Sequence, residues 1–103
     1  MKVAIVVLNW DGASLLKKLL PTIIEHSKGA QVYVIDNGST DESISVLSSE
    51  FKEVHLVQLN KNYGFTGGYN IGLKEIKADI YCLLNSDVEV SANWLLPIVD
   101  LFK

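Results

Sequence analysis

The sequence predicts an α/β domain with three layers, α/β/α, on a mainly parallel sheet. Three observations lead there. Short apolar runs at residues 3–8, 32–35, 54–59 and 80–84 alternate with segments whose apolar residues recur at helical spacing. The first, second and fourth runs are nearly continuous in apolar residues, as strands buried on both faces of a sheet are. Each run gives way to Asn, Asp, Gly or Ser, the residues of turns and caps.

The first run passes into Asn9-Trp10-Asp11, and Asp11 stands where it would cap the next helix. That helix carries a stripe of Leu15, Leu16, Leu19, Leu20, Ile23 and Ile24, and Pro21 should kink it or divide it in two. The second run ends in Asp36-Asn37-Gly38-Ser39-Thr40-Asp41, and Thr40-Asp41-Glu42 opens a shorter helix marked by Ile44, Leu47 and Phe51. His55 and Gln58 interrupt the third run and place it nearer a sheet edge. Asn60-Lys61-Asn62-Tyr63-Gly64 then leads to a third helix at about residues 67–76. After the fourth run come Asn85-Ser86-Asp87. A fourth helix follows, marked by Trp94, Leu95, Ile98, Val99 and Phe102, with Ser91 or Asn93 as its cap and Pro97 near its start.

Composition narrows the function. A chain of 103 residues fits one domain. Its apolar half and 20% charge exclude a disordered tail, and its few prolines and glycines exclude a low-complexity chain. All 9 basic residues are lysines and they are scattered, so no basic block offers itself to nucleic acid or anionic lipid. One cysteine, Cys82, supports no disulfide framework and points to a reducing compartment. No apolar run approaches the ~20 residues of a membrane span. Lys2 and the run behind it imitate a signal peptide, but Asn9-Trp10-Asp11-Gly12 interrupts them without a cleavage site. A cytoplasmic protein is expected, and one peripheral to the inner face of the membrane would look the same.

In a parallel sheet the polar loops after the four runs share one edge, where open α/β folds bind ligands. Asn, Asp, Gly and Ser also serve turns alone, so the convergence of four such loops carries the argument. No G-x-G-x-x-G follows the first run, and no G-x-x-x-x-G-K-[ST] occurs, which excludes two common nucleotide motifs. Without arginine, a phosphate ligand would need lysine, backbone N–H groups or a divalent metal. Asp87, two residues after Asn85, offers hard oxygen suited to Mg or Mn, though an Asn-x-Asp alone is more often a turn or cap.

Four strings stand out in order: Leu8-Asn9-Trp10; Val34-Ile35-Asp36-Asn37-Gly38-Ser39-Thr40-Asp41; Asn62-Tyr63-Gly64-Phe65-Thr66-Gly67-Gly68-Tyr69-Asn70-Ile71-Gly72; and Leu83-Leu84-Asn85-Ser86-Asp87. With them the chain resembles the amino-terminal half of a GT-A fold family 2 glycosyltransferase, most similar to the bacterial rhamnosyltransferase-like branch. The resemblance implies a Rossmann-like, truncated GT-A fold and a nucleotide-diphospho-sugar donor lying across the carboxyl edge. Leu8, Asn9 and Trp10 would border base and ribose; Trp10 alternatively packs at the strand end. Asp36 would accept from a base N–H. Asn62, Gly67 and Asn70 would line the nucleotide pocket, although Gly67 and Gly68 equally suit helix packing. Asn85 and Ser86 would lie near the ribose, and Asp87 would bind the metal. The family often has a carboxylate where Asn85 stands.

The resemblance also implies sugar transfer with inversion to a saccharide or lipid-linked saccharide acceptor, as in polysaccharide biosynthesis. The family's general base lies downstream of the Asp-x-Asp position, past Lys103, so the chain alone should turn over little. Glu89 reads as a loop or surface acid. The fourth strand should sit beside the first, and its outer edge, if unpaired, favours a homodimer. His26 and His55 lack spaced partners for a metal, Cys82 and Trp94 read as core, and Lys17-Lys18 as a solvated face. A non-catalytic nucleotide-binding or interaction module of the same fold is the rival. A phospho-acceptor receiver domain fails because Asn60 and Lys61 offer no acceptor carboxylate.

Overall fold

The computed structural model describes residues 2–85, the last by its backbone alone. Strands β1 (Val3–Asn9), β2 (Gln31–Asp36), β3 (His55–Gln58) and β4 (Ile80–Asn85) alternate with helices α1 (Ala13–His26), α2 (Ser43–Glu50) and α3 (Gly64–Leu73). The strands form one parallel sheet in the order β3-β2-β1-β4. Register places Ile5 beside Val32 on one side and Cys82 on the other. Asn9 lies beside Asp36, and Leu8 beside Asn85.

Side chains alternate across β1, and both sets are buried. Val3, Ile5 and Val7 meet Leu16, Leu20 and Ile23 of α1 and Val46 and Leu47 of α2, while Ala4 and Val6 join Tyr33, Ile35, Tyr69 and Ile76. α1 and α2 therefore cover one face and α3 the other. Right-handed crossovers require this, because the chain moves outward from β1 to β3 and then crosses back past β1 to β4. That reversal makes the β1/β4 boundary a topological switch point. Ile5, Leu16, Leu20, Ile23 and Ile35 are fully buried, each worth about 1.5–3 kcal/mol over exposure.

Several expectations need correction. Pro21 does not divide α1, which runs unbroken through it. The proline is exposed, so the carbonyl it leaves without a partner lies on the solvent side, while Leu16, Leu19, Leu20 and Ile23 hold the other side. Leu15, expected in the stripe, is 43% exposed because those four already fill the core face. α3 begins at Gly64, three residues before expectation, for a reason that lies in its cap. Asp11 does not cap α1; it sits at φ +49° with its carboxylate turned to another loop. β3 is the more exposed strand and lies at the edge, as its interrupted pattern indicates. The expected fourth helix, with Trp94, and the residues Ser86, Asp87 and Glu89 lie outside the described residues.

Candidate functional site

The carboxyl ends of the strands carry two polar assemblies on opposite sides of the sheet. On the α1/α2 side the last β1–β2 pair, Asn9 and Asp36, is buried at 0% and 1% exposure. Asn9 Nδ2 donates to Asp36 Oδ1 at 3.0 Å and to Ser39 Oγ at 3.3 Å. Ser39 donates from Oγ to Asp36 Oδ1 (2.7 Å) and from its backbone N to Oδ2 (3.0 Å). A buried carboxylate is tolerable only when so satisfied. Its partners also fix the Asn9 amide, since the opposite orientation would set an oxygen against Asp36. Asn9 Oδ1 is then left buried without a hydrogen-bond partner.

Above this floor two loops clasp one another. Asp11 Oδ1 accepts from the backbone N of Thr40 (2.7 Å) and Asp41 (3.2 Å), and Ser39 Oγ accepts from Asp11 N (2.9 Å). Asp41 answers with Oδ2 accepting from Ala13 N (3.2 Å) and Oδ1 from Ser43 N (2.9 Å) and Ser43 Oγ. One carboxylate thus caps both α1 and α2. Burial pushes the Asp41 carboxyl up, but the bonds from Ser43 and Ala13 outweigh it and hold the group below its ordinary value.

On the α3 side the organising residue is Asn37, which sequence reading passed over. Its backbone N extends the β1–β2 ladder to Asn9 O at 2.7 Å. Asn37 Nδ2 donates to Asn62 Oδ1 (3.1 Å) and Gly64 O (3.0 Å), and Oδ1 accepts from Tyr63 N (3.0 Å). Asn62 Oδ1 also accepts from Gly64 N at 2.7 Å. These bonds start α3 at Gly64 despite its glycines. The fit is close: a Cβ on Gly68 would lie 2.8 Å from Asn37 Nδ2 and 3.0 Å from Leu8 Cδ1, and one on Gly72 would lie 2.4 Å from Ile35 Cδ1. Tyr69 Oη donates to Leu84 O at 2.8 Å, tying α3 to β4 at the switch point.

The predicted residues divide accordingly. Leu8 is half-buried under α3, and Asn9 and Asp36 form the floor on the other side. Trp10 is 55% exposed, so packing does not account for it. Asn62 is exposed, with its carbonyl committed to α3. Gly67 meets only Tyr63 Cβ, at 3.1 Å, whereas Gly68 and Gly72 are packing glycines. Asn70 is exposed on α3, and the Asn85 backbone lies beside Leu8. Phe65, exposed in the first turn of α3 and edge-on to Tyr69, is an aromatic that its glycine-rich context masked. Ser86 and Asp87 fall outside the described residues.

Comparison with known proteins agrees with this architecture. The family model described as Glycosyl transferase family 2 matches residues 3–103. A curated relative, the undecaprenyl-phosphate 4-deoxy-4-formamido-L-arabinose transferase of Enterobacter sp. (strain 638), is 32% identical over 66 residues, 60% of this chain and 20% of that protein. The enzyme of the same name from Edwardsiella ictaluri (strain 93-146) is 28% identical over 81 residues, 75% of this chain and 25% of its own length. The chain thus spans a fifth to a quarter of these relatives. Among solved structures, the mannosyltransferase PcManGT of Pyrobaculum calidifontis, in complex with GDP-Man and Mn2+, superposes with a TM-score of 0.81 at 22% identity, covering 92% of this chain and 30% of that one. S. aureus TarS 1-349 in complex with UDP-GlcNAc gives 0.80 at 21%, covering 99% and 31%. The fold is that of the GT-A glycosyltransferases. The chain belongs to glycosyl transferase family 2.

Proposed function

We propose that this family 2 domain binds a nucleotide-diphospho-sugar across its carboxyl edge and presents the sugar for inverting transfer to a saccharide or lipid-linked saccharide hydroxyl. The observation that carries the reading is the buried, unpartnered Asn9 Oδ1 on the floor where two clasped loops meet the end of β1. A buried acceptor left unpaired is costly, about 1–3 kcal/mol, and a ligand N–H would relieve it. Asp36 Oδ2 carries a single bond and keeps a lone pair for the same kind of donor. Exposed Trp10 offers a face to a base, and Gly67 leaves room beside α3.

Among the described residues no three His, Cys, Asp or Glu side chains gather to hold a metal. Asp11, Asp36 and Asp41 are committed to N–H and O–H donors. The metal ligand is proposed from the family resemblance alone: Asp87, together with the donor's phosphates. A divalent ion there supplies positive charge to the departing nucleoside diphosphate. Asp11, Asp36 and Asp41 are taken up by donors of the chain itself, and the proposal is that residues 1–103 by themselves bind donor and turn over little. Among the described residues no helix is long and apolar enough to cross a membrane. The proposal places the domain in the cytoplasm, at or near the inner membrane face. Within the described sheet the outer edge of β4 is unpaired, and a second copy would pair there.

Calorimetry with UDP, dTDP and GDP, with and without Mn2+, tests the reading. Metal-linked binding of at least one nucleotide is expected, and loss of the metal dependence in Asp87→Ala. No binding of any of the three would remove the proposal.

A further inference from the structure

We infer that the side-chain amide of Asn37 positions the first turn of α3 against the ends of β1 and β2, and so sets nucleotide affinity through Tyr63 and Gly64 rather than by touching the ligand. The inference rests on the reading of this edge as a nucleotide site. Asn37 is buried, and its amide is saturated: both Nδ2 hydrogens are donated, and Oδ1 accepts from Tyr63 N. Tyr63, the residue before α3, gives the helix no side-chain cap of its own. The bond that caps Gly64 N comes from Asn62 Oδ1, which Asn37 holds in turn.

Close packing leaves this arrangement little slack. Gly68 brings α3 to van der Waals distance of the Asn37 amide, and Gly38, at φ +75°, brings the β2–α2 loop against the Lys61–Asn62 backbone. Only a side chain that donates and accepts on a short arm fits between the end of β2 and this turn. Aspartate would accept at both oxygens and face the Gly64 and Asn62 carbonyls with no hydrogen to give. Glutamine is one methylene too long for the gap Gly68 sets. The α3 half of the rim, with Gly67 and exposed Phe65, is thus aimed by a residue 26 positions before Tyr63.

The discriminating variant is Asn37→Asp. Facing two carbonyls, its carboxyl titrates above the ordinary value, and once protonated it again donates one bond while accepting another. The charged or titratable groups nearby are Asp36 of β2, on the opposite side of the strand, Lys61 over the Tyr63 ring, and the phenols of Tyr63 and Tyr69. β1 contributes none. A parallel titration of the parent chain accounts for all of them.

The experiment follows the Tyr63 and Gly64 amide resonances of the full chain from pH 8 to pH 5, alongside calorimetry with UDP, dTDP and GDP plus Mn2+. For Asn37→Asp at pH 8 both resonances shift and affinity falls at least tenfold, and both recover as the pH drops. Asn37→Ala shifts them without recovery. Val46→Ala, in the opposite core, lowers Tm and leaves resonances and affinity in place. Unshifted Tyr63 and Gly64 signals in Asn37→Asp, or an affinity loss matched by Val46→Ala, overturn the inference. If Asn37→Asp fails to fold at pH 8, Asn37→Ser serves: shifts independent of pH support the inference, and unshifted signals overturn it. A parent chain that binds none of the nucleotides removes the nucleotide reading, while the two resonances still decide what Asn37 holds.

Discussion

The two sides of the carboxyl edge solve one problem with different chemistry. On the α1/α2 side, Asp11, Asp36 and Asp41 accept bonds from the loops that face them. On the α3 side, a neutral amide and glycines hold the turn. Bonds to an ionised acceptor contribute about 1.5–3 kcal/mol, against about 0.5–1.5 for neutral pairs. The first side is therefore stronger but, through Asp41, sensitive to acid. The second depends on shape, and a single methyl group can spoil it.

The largest effect should come from breaking shape. Gly38→Ala places a Cβ 2.4 Å from the Lys61 carbonyl carbon and forces an alanine to φ +75°. The clash is with backbone, which cannot swing aside. Left-handed strain of about 1–2 kcal/mol adds to overpacking of about 1–3. A loss of about 3 kcal/mol in urea unfolding is expected. A loss under 1 kcal/mol would show that the seam yields more easily than its geometry indicates.

That seam also marks where the sequence stops being legible. The strands were readable because apolar runs are local, and β3 was readable as an edge from His55 and Gln58 alone. Burial of Asn37 was not, because its partners Asn62, Tyr63 and Gly64 lie 25 to 27 residues away. Asp11 was assigned to the nearest helix by the ordinary capping rule, yet it serves Thr40, 29 residues on, while Asp41 caps α1 in its place. Asp41 thus caps α1 as well as its own α2, across a gap that no local window spans. Pro21 misled for a related reason: its cost is local, but tertiary burial of four neighbouring side chains overrides it. The polar residues at the strand ends, Asn9 and Asp36, were placed by position, and exposed Phe65 was passed over because a glycine-rich string drew attention to backbone instead.

A middle-sized effect should come from the charged side. The Asp41 carboxyl sits below its ordinary 3.8 in the folded chain, so its stabilisation is complete above about pH 4 and is lost as pH falls through the lowered folded value. Asp41→Asn turns an N–H toward Ala13 or Ser43 and loses about 1 kcal/mol of capping at neutral pH. For a domain of this size that is a Tm about 4–8 °C lower. The parent and variant melting curves should converge as the pH falls further and further below 3.8. A constant gap across that range would mean that Asp41 acts by packing and not by charge.

The smallest change in stability separates the site from the seam that supports it. Gly67 and Gly68 are adjacent in α3, but a Cβ on Gly68 would press on Asn37 and Leu8, whereas one on Gly67 meets only Tyr63 Cβ at 3.1 Å. Alanine at an interior helical position is favoured over glycine by about 1 kcal/mol. At Gly67 that gain offsets the modest crowding, and Tm should move by no more than about 3 °C. At Gly68 the gain is outweighed by displacement of a buried amide, and Tm should fall clearly. Nucleotide binding should respond in both, for different reasons: Gly67→Ala adds a methyl group to the rim of an intact fold, while Gly68→Ala tilts the turn that Asn37 holds. The informative result is Gly67→Ala with an unchanged melting temperature and weakened UDP, dTDP or GDP binding, because only a ligand passing over that glycine would sense the methyl group. Unaltered affinity in that variant would move the pocket away from α3 and leave the glycines of its first turns with packing alone.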